Sequence, residues 1–137
     1  MNDRGSLLPL VAGLLALAGV FVVGVIDSTD LTITRTQLQS VADGAALAAA
    51  QSVTPGTTSL SGNRLVITLT PAGVTRVARK FVTDAAVPGV GLRTATTPDG
   101  RTAVVTTATT WRPPLLSEFL PVRLGLIAVA RARTVFD

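Results

Sequence analysis

Residues 5–26 contain no charged side chain, and any fold the chain adopts must find a non-aqueous place for that run. A bilayer core of roughly 30 Å needs about 20 apolar helical residues at ~1.5 Å rise each. Residues 7–26 supply that length, and thirteen of the twenty are Leu, Ile, Val or Phe. Each contributes roughly −0.3 to −0.6 kcal/mol to insertion, enough to outweigh Pro9 and the three glycines. A buried core helix would carry a polar stripe, and none runs along this one. A signal peptide has an apolar region of about 7–15 residues with a small-residue cleavage site close behind it. Here the run is longer, and the first alanine-rich site, Ala48-Ala49-Ala50, lies more than twenty residues further on. The run therefore reads as a retained transmembrane helix.

Charges on either side orient it. Arg4 precedes the run, and Asp27 and Asp30 follow it. The positive-inside rule puts the N-terminus in the cytoplasm and everything after Asp27 outside. The expected organisation is a short cytoplasmic N-terminus or leader (residues 1–5) and a transmembrane helix (6–27). An extracytoplasmic stalk helix (28–53), a loop with the start of a hairpin (54–63) and a small extracytoplasmic domain (64–137) follow.

Composition excludes whole classes of chemistry. Cysteine and histidine are absent. The chain thus lacks disulfides, the common zinc, copper and haem ligands, and Ser-His or Cys-His nucleophile pairs. The eight acidic residues are scattered. An enzyme built on Ser and Asp alone would need Asp84, Asp99 and Glu118 to gather in one pocket. No catalytic residue, metal ligand or cofactor is expected. Beyond residue 30 the charge balance is eleven basic against five acidic, but the arginines stand singly and aromatics are few. Nucleic-acid binders concentrate basic charge and interleave it with aromatics, so neither nucleic acid nor a small-molecule substrate is an expected partner. A solvated arginine-rich surface, touching anionic lipid headgroups or envelope polymers, fits better.

Within the anchor, Ala12, Ala16 and Gly19 form a small-residue stripe at i, i+4 and i+7, which would let another helix approach closely in lipid. Past Asp27 the helical pattern continues. Leu31, Leu38 and Ala45 recur at seven, and Val41, Ala42 and Ala49 complete the apolar side. Thr32, Ile33 and Thr34 weaken the junction, where a bend is expected, and Pro55-Gly56 stops the helix. The period then changes. Segments 57–61 and 64–70 flank Gly62-Asn63, a hairpin turn. Thr70-Pro71 reads as the cap and first residue of a helix whose apolar stripe is Val74, Val77, Ala78, Phe81, Val82 and Ala85. Segments 91–97 and 101–111 flank Pro98-Asp99-Gly100, a second hairpin signal, and 122–135 alternates as a last strand. Trp111 reads as a core residue. The expected fold is α+β: a long N-terminal transmembrane and stalk helix, then a small, mostly antiparallel sheet covered by one helix.

One ordered string goes beyond periodicity. Arg4-Gly5 precedes the apolar helix and Asp27 follows it. Then come Arg35, Leu38, Gln39, Ala42, Asp43, Ala45, Ala46, Leu47 and Ala48 to Ala50. This R-x-x-L-Q-x-x-A-D-x-A-A-L-A-A-A pattern resembles the N-terminal region of TadE/TadG-like proteins of Tad (Flp) pilus assembly. The resemblance covers about 45 residues well, and the tail WRPPLLSEFLPVRLGLIAVARART loosely.

The resemblance implies a membrane-anchored, non-enzymatic, minor pilin-like or accessory subunit of a Tad-type pilus or secretion apparatus. Its partners would be membrane lipid, other pilin-like or apparatus proteins, and further copies of itself. It also marks Gly5-Ser6 as the bond where pilins are processed. There this chain departs from the pattern, because Leu10 stands where processed pilins carry Glu. It is also too short for the von Willebrand-type domain of longer TadG relatives. The alternative is a single-pass envelope adaptor with no pilus role, binding envelope polymers or proteins through its arginines.

Overall fold

A computed structural model describes residues 4–52, 58–61 and 64–134 of the chain. Helix α1 runs from Arg4 to Ala50. Strands β1 (Thr58–Ser61) and β2 (Arg64–Ile67) precede helix α2 (Pro71–Ala85). Strands β3 (Gly91–Thr96), β4 (Thr102–Trp111) and β5 (Leu124–Arg133) complete the fold. The expected α+β architecture is present. The Pro55-Gly56 stop and the Gly62-Asn63 turn lie outside the described residues.

The chain divides into two compact units. The first comprises the residues up to Ile33 and the segment Arg112–Arg123. The second comprises Thr34–Trp111 and the residues from Leu124 on. Helical assignment is unbroken through Thr32, Ile33 and Thr34. The Thr29 and Thr32 hydroxyls donate back to the carbonyls of Val25 and Ser28 at 2.8 and 2.9 Å, a bond that often bends a helix slightly without ending it.

In the second unit the apolar side of α1 is core. Leu38, Val41, Ala42, Ala45, Ala46, Ala49 and Ala50 are all buried. Ala49 and Ala50 cluster with Leu69, Val74 and Ala103. The stripe read from the sequence therefore packs, from Leu38 onward, within the same unit as the sheet. Alanine is well suited here, because a short side chain lets a helix lie close to its neighbours without losing helix propensity.

Helix α2 starts where its cap predicts. The Thr70 side chain accepts from the Gly73 N–H at 3.2 Å, and Pro71 follows it. Val74 and Ala78 are buried and Val77, Phe81 and Val82 partly so, whereas Ala85 is exposed in the last turn. The helix ends at Ala86 in the left-handed conformation. Thr75 Oγ1 donates to the Ala95 carbonyl at 2.9 Å, tying α2 to β3.

All strand pairs are antiparallel, but they form two sheets rather than one: β1-β2, and β3-β4-β5. The β3–β4 turn is built on Asp99. Its Oδ1 accepts from the N–H groups of Arg101 and Thr102, and its Oδ2 from the Thr102 hydroxyl. Strands β4 and β5 pair along their whole length, from Thr102↔Arg133 to Trp111↔Leu124. Ala103, Val105 and Thr107 of β4, with Leu126, Ala128 and Ala130 of β5, face the core. Thr107 is fully buried and donates to the Leu38 carbonyl at 3.3 Å, one further link between α1 and the sheet.

Candidate functional site

The anchor is an apolar surface without a cover. Every residue from 7 to 22 is exposed. The helix is long and apolar enough to cross a membrane. Keeping a large apolar side chain in water instead of burying it costs about 1.5–3 kcal/mol, so the twelve exposed between residues 7 and 26 amount to roughly 18–36 kcal/mol. A domain's whole net stability is about 5–15 kcal/mol. Water is therefore the wrong solvent for this segment. Ala12, Ala16 and Gly19 share its exposed surface, and nothing lies within 4 Å of a β-carbon built on Gly19.

Asp27 is the first buried residue of the helix among those described, one turn after Val23, which is partly buried. Asp27 is only 4% exposed, and its burial is explained by what it accepts. Oδ1 takes the N–H of Leu115 at 3.0 Å, and Oδ2 takes the N–H of Leu116 at 3.2 Å. Those two amides sit at the start of a short 3-10 turn, Leu116–Glu118, where backbone donors have no partner within the turn itself. Pro113 and Pro114 precede them and bring no N–H of their own. A carboxylate accepting two backbone donors is a charge-assisted arrangement, stronger than the same bonds to a neutral acceptor.

The rest of the segment is self-bonded. Ser117 N–H donates to the Pro113 carbonyl at 3.0 Å, and Phe119 and Leu120 both donate to the Leu116 carbonyl, at 3.0 and 2.8 Å. Its apolar side chains point outward nonetheless: Phe119 is 84% exposed and Leu120 53%. Leu116 and Val122 are exposed as well.

The other motif residues divide into two sets. Leu38, Ala42 and Ala46 are buried, so their type is set by packing. Arg35, Gln39 and Asp43 stand at i, i+4 and i+8 on the exposed side of α1. Gln39 Nε2 donates to Asp43 Oδ1 at 2.8 Å, a pair one helical turn apart. Gly5, at the other end, is exposed. The string therefore combines a core-facing set, an exposed polar set and Asp27. Its role for Asp27, holding a segment 88 residues away, had no signal in the local sequence beyond the unusual acid at the end of an apolar run.

Among the described residues, two of the three acids that a Ser/Asp enzyme would need have local partners. Asp84 pairs with Lys80 one turn earlier, and Asp99 holds its own turn. No group of three or more potential metal ligands occurs among the described residues. Trp111 is buried, as expected for a core residue.

Residues 5–52 match the family described as putative Flp pilus-assembly TadE/G-like. The match spans the apolar run, Asp27 and the Arg35-to-Ala50 string, so the resemblance read from those residues holds over this part of the chain. No curated protein and no solved structure matches the chain significantly.

Proposed function

We propose that this chain, TadE/TadG-like over residues 5–52, is a non-enzymatic, single-pass membrane component of a Tad-type pilus or secretion apparatus, acting as a minor pilin-like or accessory subunit. The observation that carries this is the coincidence of the family match with a helix whose first sixteen apolar-run residues, 7–22, are exposed throughout. A surface of that kind needs lipid or other apolar helices around it.

In this reading the N-terminus is cytoplasmic and residues beyond Asp27 are extracytoplasmic. Ala12, Ala16 and Gly19 form the face on which another pilin-type helix, or a second copy, packs. The small side chains let helix backbones approach, and in lipid that close contact is what drives association. With Leu10 in place of Glu, the chain keeps Gly5-Ser6 intact and stays in the membrane.

Two experiments test this. Replacing Ala16 and Gly19 by Leu should abolish co-purification with the apparatus while leaving the chain membrane-inserted; undiminished co-purification would sink the packing face. N-terminal sequencing of the mature protein should return the residues ahead of Gly5, and a start at Ser6 would make it a processed pilin instead.

A further inference from the structure

We infer that residues 115–122 form a second, shallow membrane contact, an apolar finger that lies in the lipid interface beside the end of the anchor and is held there by Asp27. The inference rests on the reading that residues 7–26 span the bilayer. It adds an interfacial element that the helix alone does not supply.

Three observations converge. The first is position. Asp27 is the residue immediately after the apolar run, and its carboxylate grips the amides of Leu115 and Leu116 directly. When the anchor spans, those amides are fixed at the lipid–water boundary. Phe119 is four residues from Leu115, so even a fully extended chain keeps it within about 14 Å of that boundary. The 3-10 turn keeps it closer still.

The second is chemistry. Leu116, Phe119, Leu120 and Val122 are exposed within seven consecutive residues. Their backbone amides are largely satisfied inside the segment, through Ser117, Phe119, Leu120 and Val122, so the backbone does not resist a drier environment. Clustered exposed apolar side chains on a self-bonded backbone mark a contact surface.

The third is charge. Arg112 and Arg123 bracket the segment and both are exposed. Long arginine side chains flanking an apolar patch can reach lipid phosphates while the patch enters the acyl boundary. Glu118, the one acid in the segment, is exposed as well. The occupant of this surface is therefore the outer leaflet of the same bilayer that the anchor crosses.

The absence of cysteine makes the test clean, since Phe119→Cys creates a single labelling site at an exposed position. The full chain, labelled there with an environment-sensitive fluorophore, is reconstituted into vesicles of phosphatidylcholine and phosphatidylglycerol. Thr83→Cys on α2, also exposed, is the control. Quenching by aqueous iodide should be roughly threefold weaker at position 119 than at 83, and a nitroxide high on the lipid acyl chain should quench 119 selectively. Equal iodide quenching at the two positions, in a chain that floats with the vesicles and resists alkaline extraction, overturns the finger and leaves the anchor standing. Loss of flotation overturns the anchor reading itself. Protection from iodide without nitroxide quenching means a protein covers the patch, and overturns the lipid assignment. Adding Asp27→Ala should raise iodide quenching at 119 toward the control value; no change would remove Asp27 from the positioning role.

Discussion

The ring of Phe81 fills the space that a β-carbon on Gly44 would occupy. Built in ideal geometry, that carbon would stand 2.7 Å from Phe81 Cε1 and closer still to Cζ, well inside van der Waals contact. Glycine at position 44 is thus required by the approach of α2 to α1, within the alanine-rich last turns of α1.

This gives a prediction with a change of sign. Gly44→Ala gains about 1 kcal/mol of helix propensity and loses about 1–3 kcal/mol to overpacking, so it should lower the Tm. In a Phe81→Ala background the clash is gone and the same substitution should raise the Tm. Thermal unfolding of the four proteins of this cycle in detergent provides the check. A stabilising effect in both backgrounds would show that the ring yields without cost.

Asp27→Ala leaves two backbone amides without their acceptor. Charge-assisted bonds of this kind contribute about 1.5–3 kcal/mol each, and the Leu115–Leu116 backbone should open correspondingly more often. Hydrogen exchange at those two amides reads this directly, and is expected to accelerate by at least about tenfold, the equivalent of ~1.4 kcal/mol. Asp27→Asn keeps one acceptor oxygen and should fall between the two.

Asp99 carries a pH dependence. Hydrogen bonds from the Arg101 N–H, the Thr102 hydroxyl and the Thr102 N–H lower its pKa from an ordinary 3.8 to about 2. A carboxyl whose folded pKa is depressed adds stability that is fully present above its unfolded value and is lost as pH falls through the folded one. The Tm of the chain should therefore decline between about pH 4 and pH 2, and Asp99→Asn should flatten that part of the profile while lowering the Tm at neutral pH. Unfolding scans across pH 2–6 test it, and parallel profiles for the two proteins would remove Asp99 as the cause.

Thr97, at the end of β3, buries a hydroxyl that finds no hydrogen-bond partner among the described residues. A buried unpaired polar group costs about 1–3 kcal/mol, and valine has the same shape without it. Thr97→Val should raise the Tm. A decrease would mean that the hydroxyl is satisfied by solvent.

Local features of this fold could be read from the sequence because their causes are local. Thr70-Pro71 opens α2 since the cap oxygen and the ring act within one turn, and Pro98-Asp99-Gly100 makes the β3–β4 turn since Asp99 bonds its own next neighbours. The apolar stripe of α1 was visible as a period. What the stripe packs against was not, because strand partners are chosen over long separations: the strands split into two sheets, and a second helix, α1, joins α2 in the core. The final strand begins at Leu124 rather than residue 122, since Val122 belongs to the self-bonded segment before it. Asp27 could be read as the end of an apolar run. Its partners, Leu115 and Leu116, are ordinary leucines whose part is played by their backbones, and side-chain identity carries no trace of that.

The separation of 88 positions from Asp27 to Leu115 also sets a chronology. A ribosome working at about 5–20 residues per second delivers Leu115 some 4–18 seconds after Asp27. The anchor is synthesised, and free to enter the bilayer, well before the amides that its terminal carboxylate will hold exist. In the proposed topology, a hydrated Asp27 at the membrane surface would through that interval oppose the apolar run sliding further into the bilayer. On that reading, the residue that fastens a segment of the finished protein first acts as a stop for the helix that carries it.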